Sequence, residues 1–99
     1  MTVRFTVLAR RELDDAVAWY EGQVPGLGME FLDELDRAVR RISVYPSSGS
    51  DIGSELRRCF LARFPYGLIY GQDEQSLVIV AVAHLHRRPR YWRGRWVKG

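Results

Sequence analysis

Residues 77–84 read LVIVAVAH, seven apolar residues in a row closed by a histidine. A strand with one wet face alternates apolar and polar residues, whereas this run is apolar on both faces and so predicts a central strand covered by other layers. Working outward, two more β-patterned runs precede it, Leu56 to Leu61 (LRRCFL) and Tyr66 to Tyr70 (YGLIY). Arg63-Phe64-Pro65 and Gly71-Gln72-Asp73-Glu74-Gln75 separate the three runs, and both suit hairpin connections.

Farther upstream the period changes. From about Ala9 to Val24 the apolar set Leu13, Ala16, Val17, Tyr20 and Val24 recurs at three and four residues, one stripe of a helix, with Arg11, Glu12, Asp15 and Glu21 mostly outside it. No good N-cap is visible at its start. Val24-Pro25-Gly26-Leu27-Gly28 breaks this helix, because proline removes a donor and glycine permits a sharp turn. A second helix follows almost at once, with Phe31, Leu32, Leu35, Ala38, Val39 and Ile42 on its apolar face. Its charges run from acidic (Glu30, Asp33, Glu34, Asp36) to basic (Arg37, Arg40, Arg41), which complements the helix dipole. The short connection predicts an antiparallel helical hairpin. Before it, residues 2–7 (TVRFTV) place Val3, Phe5 and Val7 in alternation with Thr2, Arg4 and Thr6, a strand with one buried face. After it, residues 45–50 (YPSSGS) stop the helix and open a loop of about ten residues. The order β, α, α, β, β, β predicts a single α+β domain over residues 1–99. It has an N-terminal strand and an α-helical hairpin packed on an antiparallel sheet of about four strands.

A chain of 99 residues buries only about two-thirds of the surface its unfolded form exposes, which leaves it marginal and makes a stabilising partner plausible. It carries no apolar run of about 18 residues and no signal-peptide pattern at its start, so a cytoplasmic protein without a membrane span is expected. The net charge of +3 hides an asymmetry: residues 1–50 hold six basic and eight acidic groups, residues 51–99 nine and four. Fourteen of the 15 basic residues are arginine, whose planar fork suits phosphate and carboxylate. The one lysine is Lys98, so a lysine-dependent mechanism would hang on the terminus. Cys59, the single cysteine, sits between Arg58 and Phe60 and reads as a buried, inert thiol.

The charge asymmetry concentrates in residues 84–96, HLHRRPRYWRGRW, which contain no acid. Tyr91, Trp92 and Trp96 can cover the sheet edge or helix ends while the arginines stay in water. Such a packed strap would still display Arg87, Arg88, Arg90, Arg93 and Arg95 to a protein or to DNA phosphate. His84 and His86 lie on one face if the strand continues, and with Arg87, Arg88 and Tyr91 they could form an acid–base set. No metal site is expected, because His84-x-His86 lacks the further ligands zinc requires. Gly26-Leu27-Gly28 has neither the preceding strand nor the third glycine of a phosphate loop, and no cofactor is expected. Asp14-Asp15 read as a solvated helix face. Trp19, beside the buried Tyr20, is open to simple packing or to partner contact, and Arg57 and Arg58 must point to opposite sheet faces.

The chain as a whole resembles the ParE/RelE toxins of bacterial type II toxin–antitoxin modules, and ParE more closely. The residues that carry the resemblance are Glu12-Leu13-Asp14-Asp15-Ala16 with Trp19-Tyr20-Glu21; Gly28 with Phe31, Leu32 and Leu35; Pro46; Arg57-Arg58 and Leu61; Phe64-Pro65-Tyr66 with Ile69-Tyr70; and Ile79 to Val82 running into His84, Arg87, Pro89, Tyr91, Trp92 and Arg95. The resemblance implies a cytosolic growth inhibitor bound by a cognate, ParD-like antitoxin as a hetero-oligomer, with Trp19, Arg57 and Arg58 as antitoxin contacts. ParE-like members act on DNA gyrase and are not nucleases, which implies a target-binding surface of Arg87, Arg88, Arg90, Tyr91, Trp92, Arg93 and Arg95, with direct nucleic-acid contact possible. RelE-like members cut mRNA in the ribosomal A site, and here that chemistry would fall to His84, Arg87 and Tyr91. Gly67 stands near the place where the nucleases carry a basic residue, a departure that weakens the nuclease reading. A non-toxic binding module is the third alternative.

Overall fold

The computed structural model describes residues 2–96. Its elements are β1 (Thr2–Phe5), α1 (Val7–Gln23), α2 (Leu27–Val44), a 3-10 turn (Pro46–Ser48), β2 (Ser50–Gly53), β3 (Leu56–Phe60), β4 (Tyr66–Gln72) and β5 (Ser76–His84). Lys98 lies outside the described residues.

The five strands form one sheet in the order β1-β5-β4-β3-β2. It has one strand more than the sequence pattern suggests, and it is mixed. β1 runs parallel to β5, from Thr2 opposite Ser76 to Phe5 opposite Ile79, an arrangement open to strands joined by a long crossover. β2 occupies what the sequence reads as loop. It pairs antiparallel with β3 through a turn in which Gly53, Ser54 and Glu55 all have positive φ. With only Ile52 half-buried, β2 has no alternation to betray it.

α1 starts two residues earlier than its apolar stripe suggests. Thr6 is its N-cap, and the hydroxyl accepts the Ala9 N–H at 3.1 Å; the cost of Val7 is that it leaves the strand and stands 73% exposed. A threonine hydroxyl satisfies an orphan helix donor that a continued strand would leave without purpose. The hairpin turn is tight because Glu21, near the end of α1, accepts the backbone N–H groups of Gly26 and Gly28 at 2.9 and 3.0 Å. A Cβ on Gly28 would lie 2.8 Å from the Val17 carbonyl oxygen, so only glycine lets the two helices meet there.

Both helices cover one face of the sheet. Leu13, Ala16, Tyr20, Phe31, Leu35, Ala38 and Ile42 pack on Cys59, Leu68, Tyr70, Leu77 and Ile79. The opposite face carries a second cluster of Leu56, Ile69, Val78, Val80, Ala81 and Ala83, against which Tyr91, Trp92 and Trp96 pack. The central strand is β5, buried from Ser76 through Ala83, with helices on one side and the C-terminal strap on the other. Its pairing with β4 slips: Ile69 opposes Ala81 while Tyr70 opposes Ile79, so Val80 is the extra residue. A bulge of this kind inverts the alternation beyond it, and Val82 consequently joins the helix side. Among the described residues no helix is long and apolar enough to cross a membrane.

Candidate target-binding surface

β1 stops at Phe5, with the Thr6 N–H on the Ile79 carbonyl at 3.0 Å, and β5 continues beyond that point. Side chains take over where the strand pairing ends. The Val80 carbonyl accepts from Arg95 at 3.1 Å, and the Val82 N–H donates to Glu12 at 3.1 Å. Glu12, on α1, is the centre of the arrangement. Besides Val82 it accepts both outer nitrogens of Arg95 at 2.8 and 3.2 Å, Arg87 at 3.1 Å and the Tyr91 hydroxyl at 2.6 Å. Its side chain is 12% exposed and that of Arg95 15%, whereas Arg87 is 54% exposed. A carboxylate so enclosed is stable because its acceptor sites are filled by charged and neutral donors, two of them from one arginine fork.

Tyr91 sits between the two cations. The Arg87 guanidinium lies 3.9 Å and that of Arg95 5.0 Å from its ring centroid. Burial raises the phenol pKa well above its ordinary value, and donation to Glu12 together with the Glu12 charge raises it further, against the two arginines. The hydroxyl therefore remains a neutral donor through and beyond the physiological range and is poorly placed to act as a base. His84 emerges on the helix side of the sheet, its ring 5.0 Å from that of Tyr66 and 5.1 Å from that of His86. Its Nδ1 accepts the His86 N–H at 3.0 Å. Among the described residues no three His, Cys, Asp or Glu side chains gather as a metal-binding group.

The strap itself is a chain of tight turns closed by Arg87 N–H to His84 O, Arg93 N–H to Arg90 O and Arg95 N–H to Trp92 O, each 3.0–3.1 Å. Arg90 and Gly94 adopt positive φ to make them. Of the five arginines expected at the target surface, Arg95 is turned inward, and Arg87 is tied to Glu12 but half exposed. Arg90 reaches the Ile52 carbonyl at 3.3 Å. Arg88 and Arg93 are exposed, and neither side chain has an ion pair or hydrogen bond among the described residues. Tyr91 and Trp92 are half-buried anchors.

The residues expected at an antitoxin contact separate. Trp19 is 59% exposed, edge-on to Tyr20 at 5.1 Å. Arg57 holds the turn before β2 through the Ser47 and Gly49 carbonyls at 3.3 and 2.7 Å. Arg58 points to the other face of the sheet, its guanidinium 4.7 Å from the Phe60 ring centroid.

A sequence profile of the family described as "ParE toxin of type II toxin-antitoxin system, parDE" matches residues 3–89. The chain belongs to this ParE toxin family. Its fold is similar to that of a solved structure, "Chromosomal ParDE TA system from P. aeruginosa", with a TM-score of 0.75 at 16% identity over 86% of this chain and 96% of the other. No curated protein matches by sequence. As a ParE toxin it is one component of a two-part system whose other part is a ParD antitoxin. The family match ends at Pro89, so Tyr91 and Arg95, which close the Glu12 cluster, lie beyond it.

The residue that sequence reasoning missed is Glu12, which belongs to the motif that carries the resemblance but has no role assigned there. Two signals point to it. A 13-residue tail rich in arginine and free of acid needs a counter-charge from elsewhere, and Glu12 lies one helical turn from the buried Ala16.

Proposed function

We propose that this ParE toxin inhibits growth by gripping DNA gyrase with the exposed arginines of its strap, blocking replication without breaking a bond itself, and that a ParD antitoxin neutralises it. The carrying observation is the pair Arg88 and Arg93, exposed and with no side-chain ion pair or hydrogen bond among the described residues, on a strap whose position is fixed by Glu12, Tyr91 and Arg95. Guanidinium groups held on a rigid anchor lose little freedom when they bind a carboxylate or phosphate, which favours tight contact. Arg87 and Arg90, also exposed, flank them, while Arg95, Tyr91 and Trp92 serve as the mount. Trp19 is the antitoxin contact in this reading, since a large exposed ring on the helical layer gains most from being covered. Gyrase and its DNA place the site of action in the cytoplasm.

Purified toxin added to gyrase is expected to inhibit supercoiling and to accumulate cleaved DNA. The double substitution Arg88→Glu, Arg93→Glu, which removes no side-chain ion pair or hydrogen bond among the described residues, is expected to weaken inhibition by at least about tenfold, roughly the loss of two rim charges at an interface. Folded wild-type protein that leaves gyrase untouched overturns the target. Cuts in translated mRNA that vanish on Tyr91→Phe replace it with the nuclease reading.

A further inference from the structure

The strap leaves the sheet at His84, the last residue of β5, and two bonds of its first turn converge on that residue. The His84 carbonyl accepts the Arg87 N–H at 3.1 Å, and the His84 ring accepts the His86 N–H on Nδ1 at 3.0 Å. A backbone N–H can only donate, so the ring nitrogen that faces it must be bare. The ring that closes this turn is therefore neutral, with its proton on Nε2. Protonating Nδ1 sets one N–H against another, and the turn loses its acceptor.

The surroundings of the ring decide where it turns once charged. His84 lines a hollow of about 240 Å3 with Glu12 and Asp15 from α1, Tyr66 from β4 and Arg87 from the strap. The His86 ring stands 5.1 Å away between centroids and that of Tyr66 5.0 Å. The Tyr66 phenol, whose pKa burial and then Tyr20 and Glu12 raise, stays neutral. The two carboxylates attract a cationic ring, whereas Arg87 and a charged His86 repel it. A protonated His84 is thus drawn from the His86 N–H toward the acids. One of them, Glu12, is the acid that holds Arg87 at 3.1 Å. Loss of the turn's acceptor and competition for Glu12 act in the same direction, loosening the strap at its first residues. Arg95 keeps its own grip on Glu12 at the other end.

We propose that His84 is a pH-sensitive latch on the strap: the neutral ring fixes the first turn, and the protonated ring releases that turn and frees Arg87. Histidine is the side chain that changes charge between about pH 5 and 8. The hydrogen bond to Nδ1 is complete at the alkaline end of that range and is lost as pH falls, so the strap is held most firmly when the ring is uncharged. His86 enters through its backbone N–H. The latch operates in the chain by itself, and only its bearing on gyrase, through Arg88 and Arg93 farther along the strap, rests on the function proposed above.

The test is NMR of the isotope-labelled full chain, alone in buffer, between about pH 8 and pH 5. It follows protection of the His86 N–H against solvent exchange, referred to the intrinsic rate at each pH, together with the ring titrations of His84 and His86. In wild type the protection is expected to fall about fivefold along the His84 titration, the equivalent of one net hydrogen bond. The Trp92 indole N–H resonance should move on the same curve as the strap loosens. His84→Asn puts an amide oxygen where Nδ1 stood, and asparagine accepts the N–H two residues on without titrating. Its protection should stay high and level. His84→Gln carries its acceptor one bond too far and should be low and level, while His86→Gln keeps the backbone N–H and should behave as wild type. Wild-type protection that holds through the His84 titration, an equal fall in His84→Asn, high protection in His84→Gln, an unmoved Trp92 resonance, or a curve that follows the His86 ring instead each overturns the proposal. Neither gyrase nor antitoxin is present in this titration, so its failure is separate from failure of the gyrase reading.

Discussion

The two faces of the sheet are held by different means. On the helix face sixteen of the described residues are buried in one cluster, and the rings of Tyr20, Phe31, Phe64 and Tyr66 contact one another at 4.9–6.1 Å between centroids. On the strap face the buried cluster has six residues, and the strap above it is fastened to the rest of the chain largely through one carboxylate. Packing spread over many neighbours degrades gradually, whereas a fastening concentrated in Glu12 fails at one point. The face that displays the free arginines is thus also the face that a single change can release, and local opening there need not involve the helical layer.

The largest effect expected is on the helix face. Phe31→Ala empties a fully buried ring site and should cost about 3–5 kcal/mol, with far-UV circular dichroism and tryptophan fluorescence collapsing together in urea. Glu12→Ala should cost somewhat less, about 3 kcal/mol, because Arg95 loses its partner in a largely buried setting while the half-exposed Arg87 is rescued by water. Its signature is what separates the two faces. Trypsin should cut after Arg87, Arg90 and Arg93 under conditions in which the helical signal is intact. If Glu12→Ala unfolds both layers in a single transition with no early cleavage, the faces are one cooperative unit and the contrast fails.

A smaller pair of substitutions probes how closely the strap fits. Gly71 and Gly67 both face the strap side of β4, yet a Cβ on Gly71 would sit 2.7 and 2.8 Å from Trp96 ring atoms, whereas on Gly67 the nearest contact is 3.4 Å. Gly71→Ala should therefore cost about 1–3 kcal/mol and alter near-UV circular dichroism as Trp96 is displaced. Gly67→Ala should stay within about 0.5 kcal/mol of wild type. Equal effects at the two positions would mean that Trp96 does not rest on Gly71 as a wedge against the sheet.

Most of this architecture is legible in the sequence because burial there follows simple periods. The stripes of α1 and α2 and the doubly apolar 77–84 run specify two layers and a central strand. β2 is invisible because a four-residue edge strand with one half-buried side chain has no period to show. The bulge at Val80 hides as well, since an all-apolar run looks the same in either register, and with it goes the side of the sheet on which His84 emerges. The site is less legible than the fold. The strap arginines announce themselves by composition, but which of them face inward depends on a carboxylate 75 residues or more away in sequence, and no local pattern encodes that distance. Glu34 escapes for a related reason: it is buried, accepting the Arg63 N–H at 2.8 Å, although its place in an acidic run suggests water on all sides.

The smallest expected effect belongs to neither layer and so tests the comparison from outside. Asp73 closes the β4–β5 turn: its Oδ1 accepts the N–H groups of Gln75 and Ser76 and the Ser76 hydroxyl at 2.8–3.0 Å, and its Oδ2 lies 3.3 Å from Arg4. The Gln75 N–H, then the Ser76 hydroxyl and N–H, hold its carboxyl down to about 2 from an ordinary 3.8. A carboxyl with a lowered folded-state pKa binds its proton more readily in the unfolded chain. Its contribution is therefore complete above pH 3.8 and fades as pH falls toward about 2. Asp73→Asn should lower Tm slightly at neutral pH and flatten the acid limb of the stability curve across that window, with the difference from wild type vanishing at its lower end. Because the turn joins two strands common to both faces, acid should weaken strap and helices alike. Strap cleavage that accelerates in acid for wild type but not for Asp73→Asn, with the helical signal constant, would place this turn with the strap and redraw the boundary between the two halves.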